Sequence, residues 1–141
     1  MHLDDCIELD QVCLNGLWTK SQWERELIDP NRICIGTIEV ETQRILGLCS
    51  SWLLIDEIHI TFIAVHPSYQ RKGIGKFLLS ELIKRSRSQK SNQIYLEVKE
   101  TNHKAKAFYK SMGFRIIGNR SNFYKDGSNA VILKKQLNLK S

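Results

Sequence analysis

Apolar positions along the chain change period from segment to segment, and each period predicts an element. From Asp4 to Leu14 they fall at Cys6, Ile7, Leu9, Cys13 and Leu14, the spacing of a short amphipathic helix. A second helix is expected to run through Leu27 with Ser21 as its N-cap, and Asp29-Pro30-Asn31 then breaks the chain. Ile33 to Val40, Ile45 to Ile55 and Ile58 to Val65 are rich in β-branched and apolar residues and are parted by polar breaks. They read as neighbouring strands of an antiparallel meander.

After His66-Pro67 the pattern turns helical, with Ile74, Phe77, Leu78, Leu82 and Ile83 on one stripe. Lys84, Arg85, Arg87 and Lys90 gather where that helix's dipole is negative. Ile94, Leu96 and Val98 alternate with Tyr95, Glu97 and Lys99, which predicts a strand carrying Glu97 off its apolar face. Asn102 can cap a following helix with the stripe Ala105, Phe108, Tyr109 and Met112, and Gly113 suits the left-handed residue just past its end. Phe114 to Ile117 and Asn129 to Leu133 complete the set as strands. The strand–helix–strand unit around the long helix calls for a right-handed crossover between parallel strands. The fold class expected is therefore α/β in the α+β sense: a mixed sheet flanked by helices, with a cleft at the carboxyl ends of the crossover strands.

With 141 residues, no internal repeat and no linker, residues 1–141 are expected to form one domain. No apolar run approaches the roughly 18 residues of a membrane helix, and Met1-His2-Leu3-Asp4-Asp5 is acidic where a secretory signal is basic, so a cytoplasmic protein without membrane contact is expected. A net charge of +6 favours anionic partners without choosing among them. No aromatic-and-basic RNA platform is visible, so no direct nucleic-acid binding is expected. Cys6, Cys13, Cys34 and Cys49 include no Cys-x-x-Cys pair and no His at a matching interval, so they read as small buried hydrophobes, with no metal site.

The chemistry-bearing segment is Gln70-Arg71-Lys72-Gly73-Ile74-Gly75, placed where a strand ends and the long helix begins. Free backbone N–H groups and the positive dipole end meet there, and glycines remove the side chains that would bar a phosphate. A tight turn with close helix–strand packing accounts for the same Gly-x-Gly, and Arg71 and Lys72 also suit a solvated loop. Ile63-Ala64-Val65-His66-Pro67 followed by Tyr69 to Gly75 resembles the acetyl-CoA-binding motif of the Gcn5-related N-acetyltransferase (GNAT) family. Leu96 to Asn102 and Ala107 to Phe114 resemble its ribosomal-protein-alanine N-acetyltransferase (RimI) subfamily, and Trp18 and Asn122-Phe123-Tyr124 do so more loosely. Phe62, where the best-known bacterial members have Asn, and the tail Ser128-Asn129-Ala130 depart from the pattern.

The resemblance implies acetyl-CoA as co-substrate, held by Ile63, Ala64, Val65, Gln70, Arg71, Lys72, Gly73, Ile74, Gly75, Lys76 and Asn102. Acetyl transfer to an amine needs a neutral amine, a polarised carbonyl and a proton for the departing thiolate. The resemblance assigns Glu97 as general base, Tyr109 as general acid and a backbone N–H of residues 63–65 as the carbonyl's partner. Read from the pattern alone, Glu97 suits a solvated strand face better than a base, and Tyr109 also suits the core stripe. Lys104 and Lys106 are exposed-helix lysines that could also meet phosphates. The implied acceptor is a protein N-terminus, the N-terminal alanine of a ribosomal protein. A lysine side chain, a small-molecule amine, or a non-catalytic acyl-CoA or ribosome-binding role stand as alternatives.

Overall fold

The structure, a computed structural model, describes residues 3–137. Helices α1 (Leu3–Leu14) and α2 (Lys20–Ile28) precede strands β1 (Arg32–Ile38), β2 (Ile45–Leu53) and β3 (Glu57–Val65). Helix α3 (Ile74–Ser88), β4 (Gln93–Lys99), α4 (His103–Ser111), β5 (Arg115–Arg120) and β6 (Ala130–Gln136) follow. The expected sequence of elements is the observed one. The α2 cap is a correction: Thr19 accepts from the Gln22 backbone N–H while the Gln22 side chain accepts from that of Thr19, a reciprocal capping box. With both orphan N–H groups satisfied at Thr19, Ser21 lies inside the helix. The strand at Phe114 to Ile117 likewise runs on to Arg120, because a register shift between Ile116 and Gly118 lets it keep pairing with β6.

The six strands form one sheet in the order β1-β2-β3-β4-β6-β5, antiparallel except where β3 meets β4. The parallel pair is joined through α3, as the period change predicts. One core lies between the sheet and α3, where Leu78, Leu79, Leu82, Ile58, Ile94 and Leu133 are fully buried. Each such side chain contributes roughly 1.5–3 kcal/mol of transfer free energy. A second core lies against α1 and α2 and holds Cys6, Leu9, Trp23, Leu48, Phe62 and Ala64. There, buried Asp10 accepts from Trp23 Nε1 at 2.7 Å and from the backbone N–H groups of Leu17 and Trp18 at 2.6 and 3.1 Å, tying the α1–α2 loop to both helices.

Two backbone details shape the ground on which a site can form. The β2–β3 register shifts so that Ser50 pairs with Phe62 and Ser51 with Ile60, leaving Thr61 as an extra residue. Because side chains alternate along a strand, this bulge reverses phase: Ile58 and Ile60 face the α3 core, Phe62 and Ala64 the α1–α2 core. Ile63 and Val65 are thereby turned toward α3. The second detail is Gly47 on β2, where a Cβ would lie 2.8 Å from Ile74 Cγ2 and 3.1 Å from Leu78 Cδ1. Only glycine lets the start of α3 sit this close to the sheet.

Of the cysteines, Cys6 and Cys49 are buried as expected, whereas Cys13 and Cys34 are half-buried; all four are free thiols. Among the described residues no helix is long and apolar enough to cross a membrane.

Candidate active site

Strands β3 and β4 pair only at Glu57 with Gln93, Ile58 with Ile94 and His59 with Tyr95. Beyond that point β3 stays paired with β2 as far as Val65, and β4 with β6 as far as Lys99. The two central strands therefore part, and a notch opens between residues 60–65 and 96–99. Along that stretch the β4-facing backbone N–H groups of β3 have no ladder partner, which makes them free to meet a ligand.

The cradle begins where β3 ends. A short 3₁₀ turn at Pro67–Tyr69 is closed by His66 Nδ1, which accepts from the Ser68 N–H at 3.1 Å, and Gln70 Nε2 returns to donate to the Val65 carbonyl at 3.2 Å. Arg71 and Gly73 then adopt left-handed φ values of 65° and 82°. Left-handed residues in such a turn aim successive N–H groups inward as an anion-binding nest. For the non-glycine Arg71 this conformation costs of order 1 kcal/mol, strain of the kind that gathers at functional sites. Gly73 is the N-cap of α3 yet supplies no side-chain cap, so the first-turn N–H groups of the helix remain available. Apart from its chain neighbours, nothing lies within 4 Å of where a Cβ on Gly73 would be, and one on Gly75 would stand 3.6 Å from Phe108 Cζ. These open positions fit a pyrophosphate, and the apolar walls beyond fit the remainder of an acyl-CoA.

The groove measures about 680 Å³ and is lined by Ile63, Val65, Gln70, Arg71, Gly73, Ile74, Gly75, Lys76 and Asn102 of the expected set. Ala64 and Lys72 are placed elsewhere. Strand alternation buries Ala64 in the opposite core, and the Lys72 ammonium lies 5.3 Å from the centre of the Tyr69 ring. Asn102 Oδ1 accepts from the Ala105 N–H at 3.0 Å, so it caps α4 while bordering the groove. Lys104 lines the groove and Lys106 does not.

Tyr109 joins this groove from α4, packed edge-on against Phe108 and Phe114 at 5.1 and 5.5 Å between ring centroids. It is 6% exposed, and burial holds its hydroxyl well above the ordinary phenol range. It is thus a phenol with its proton in place at any working pH.

Glu97 lies on the other face of β4, away from Leu96 and Val98, and its side chain is only 10% exposed. His59 Nε2 stands 2.7 Å from Glu97 Oε1, and Arg120 Nε 3.6 Å from Glu97 Oε2. The His59 hydrogen bond, chiefly, holds the Glu97 carboxyl below its usual range against the opposing effect of burial. On the same side Tyr124 carries Lys99 over its ring at 5.4 Å, and Lys99 pairs with Asp126 at 3.0 Å. Trp18 sits against Trp23 and Phe62, with ring centroids at 4.7 and 5.5 Å, so Phe62 contributes to an aromatic cluster.

His59 and Arg120 were not singled out by sequence reasoning. Polar Glu57, His59 and Thr61 alternate with apolar Ile58, Ile60 and Phe62, a signal that β3 has one polar face. What the alternation leaves open is the neighbour: only the parallel pairing of β3 with β4 brings position 59 beside position 97.

Comparison with known proteins bears on the fold and the family. The N-alpha-acetyltransferase RimI of Mycobacterium tuberculosis is 31% identical over 137 residues, covering 92% of this chain and 84% of that protein. The ribosomal-protein-S18-alanine N-acetyltransferase of Escherichia coli superposes with a TM-score of 0.87 at 25% identity, covering 99% of this chain and 90% of that one. An aminoglycoside 6'-N-acetyltransferase complexed with coenzyme A shares the fold at a TM-score of 0.80 and 17% identity, over 96% of this chain and 90% of its own. Residues 3–114 match the acetyltransferase (GNAT) family. The chain therefore belongs to that family and is an acetyl-CoA-dependent N-acetyltransferase.

Proposed function

We propose that this acetyltransferase modifies the N-terminal α-amine of a protein, the N-terminal alanine of a ribosomal protein, with Glu97 as general base and Tyr109 as general acid. The observation that carries the reading is the notch between β3 and β4. The groove with its cradle and Tyr109 opens on the α3 side, and the Glu97 carboxylate lies on the opposite face of β4. An acceptor entering from the Glu97 face meets the groove through the notch.

Gly73, Gly75 and the uncapped start of α3 would hold the pyrophosphate, with Arg71 and Lys76 adding charge. Acetyl-CoA supplies the activated acyl thioester. A β4-facing backbone N–H of this segment, at Ile63 or Val65, would polarise the carbonyl from the unpaired side of the notch. Tyr109 holds the proton that a departing thiolate requires, and Glu97 draws one from the incoming amine. An α-amine, with an ordinary pKa of about 7.7 to 8.0 against about 10.4 for lysine, offers a neutral fraction some hundreds of times larger at neutral pH. The name of the M. tuberculosis protein supports an α-amine, and that of the E. coli protein the alanine of a ribosomal protein.

The test is incubation with acetyl-CoA and peptides, followed by location of the added acetyl group by mass spectrometry. A peptide beginning with Ala should be acetylated at its α-amine, and a peptide beginning with Trp should react poorly. Efficient acetylation of an N-terminally blocked peptide at lysine would overturn the N-terminal reading and assign a side-chain amine as acceptor.

A further inference from the structure

We propose that His59 and Glu97 form one proton-accepting dyad, in which Glu97 orients the imidazole and Nδ1 of His59 takes, through water, the proton that leaves the acceptor amine. This refines the base assigned to Glu97 alone, and it rests on the reading that the amine arrives on the Glu97 face.

The geometry of the pair fixes the tautomer. An ionised carboxylate only accepts hydrogen bonds, so the proton shared between His59 Nε2 and Glu97 Oε1 across 2.7 Å sits on Nε2. The neutral ring then carries its lone pair on Nδ1. Its plane is held by stacking on Tyr95, with centroids 4.5 Å apart and planes 13° from parallel. The His59 side chain is 30% exposed against 10% for Glu97, so the imidazole reaches water where the carboxylate scarcely does.

The second argument is chemical. The carboxyl of Glu97 is held below its usual range, which leaves it a poor resting place for a proton taken from an amine. Imidazoles as a class titrate far closer to an α-amine. Other charged and titratable groups surround the ring. Glu97 and Tyr95 face it from β4, Glu57 lies two residues away on β3, and Arg120 on β5 sits 3.6 Å from Glu97 Oε2. Glu97 sets a negative charge against the ring, and Arg120 a positive one beyond that carboxylate.

The transfer balances in atoms and charge. One proton of the ammonium goes to His59 Nδ1, the nitrogen–carbon bond forms as the carbon–sulfur bond breaks, and the Tyr109 proton goes to the departing sulfur. The second proton lost by the nitrogen restores Tyr109, and His59 releases its proton to water.

The test uses the full chain, acetyl-CoA and whichever amine the wild type acetylates. His59→Gln keeps an amide N–H for Glu97 but cannot hold a proton. It should lower kcat by on the order of 10²-fold, with KM for acetyl-CoA unchanged, and erase or displace the acidic limb of the pH profile of kcat/KM. In His59→Ala, added imidazole should restore turnover several-fold where sodium chloride of equal ionic strength does not. A His59→Gln enzyme within twofold of wild-type kcat and with the same acidic limb would overturn the dyad. If Glu97→Gln is inactive in that case, Glu97 acts alone; if Glu97→Gln is also unaffected, the base of the proposed function falls with it.

Discussion

Substitution of Gly47 by Ala is a stringent probe of how the sheet positions the cradle, because the added methyl has no free space. Its carbon would start 2.8 Å from Ile74 Cγ2 and 3.1 Å from Leu78 Cδ1, with the Ala64 carbonyl oxygen at 3.3 Å. Ordinary contact with Ile74 requires a retreat of about 0.6 Å, and Ala64 belongs to the neighbouring strand, so the sheet cannot give way. The movable body is the first turn of α3. Overpacking of this kind costs about 1–3 kcal/mol, against which the loss of glycine's unfolded-state freedom returns about 0.5–1 kcal/mol. The net expectation is a destabilisation centred at about 1 kcal/mol in urea melts. Because Ile74 follows Gly73 directly and lines the groove, the same shift displaces the N–H groups of the cradle, and the Kd for acetyl-CoA by calorimetry should rise by on the order of tenfold. Ile74→Ala removes the methyl that is struck, so the double variant should lose less stability than the sum of the single ones. Unchanged urea midpoint and unchanged Kd in Gly47→Ala would refute the claim that this contact seats the cradle.

Gly75→Glu should abolish the acetyl-CoA-dependent rise in melting temperature, since its carboxylate would project into the groove from the first turn of α3. In the wild type, acetyl-CoA at about 100 times its Kd should add roughly 2.7 kcal/mol, and equal shifts in both proteins would sink the cradle. Glu97→Gln and Tyr109→Phe should bind acetyl-CoA normally in calorimetry yet lower kcat by on the order of 10²-fold, and near-wild-type turnover in either would remove that residue from the chemistry. Stability should also fall at alkaline pH. Burial pushes the Cys49 thiol from 9.0 up to about 12, so its contribution is complete below pH 9 and is lost as pH rises toward 12. The slope from this one thiol should reach about 1.4 kcal/mol per pH unit, measurable by urea melts at pH 8 and 10.5, and Cys49→Ala should flatten it.

The elements were legible because each carries its own period: Ile94, Leu96 and Val98 alternate, and Ile74 to Ile83 repeat every three to four residues. The cradle was legible for a different reason, since glycines before a helix announce a backbone that must be approached closely. The Thr61 bulge carries no sequence signature of its own, and so the reversal that turns Ile63 and Val65 toward the groove while burying Ala64 was out of reach. The partners of Glu97 were equally hidden, because they come from positions 38 residues before it and 23 after it in the chain, joined only by strand order. Lys72 shows the same limit at short range: its neighbour Arg71 lines the groove, while its own ammonium lies over Tyr69.

A sheet that parts between two of its central strands is a wall with a hole in it, and on the proposed function the two substrates use its two mouths. A molecule with an acyl-CoA at one end and a peptide at the other could then be threaded through, its tether lying in the gap between residues 60–65 and 96–99. Once the nucleotide end is seated, the peptide end is confined near its own mouth at an effective concentration in the millimolar range or above. Loss of translational freedom is incurred once for both ends, so such a molecule would bind far more tightly than either half. The gain would disappear for a tether too short to cross the sheet, which makes tether length a ruler for the opening.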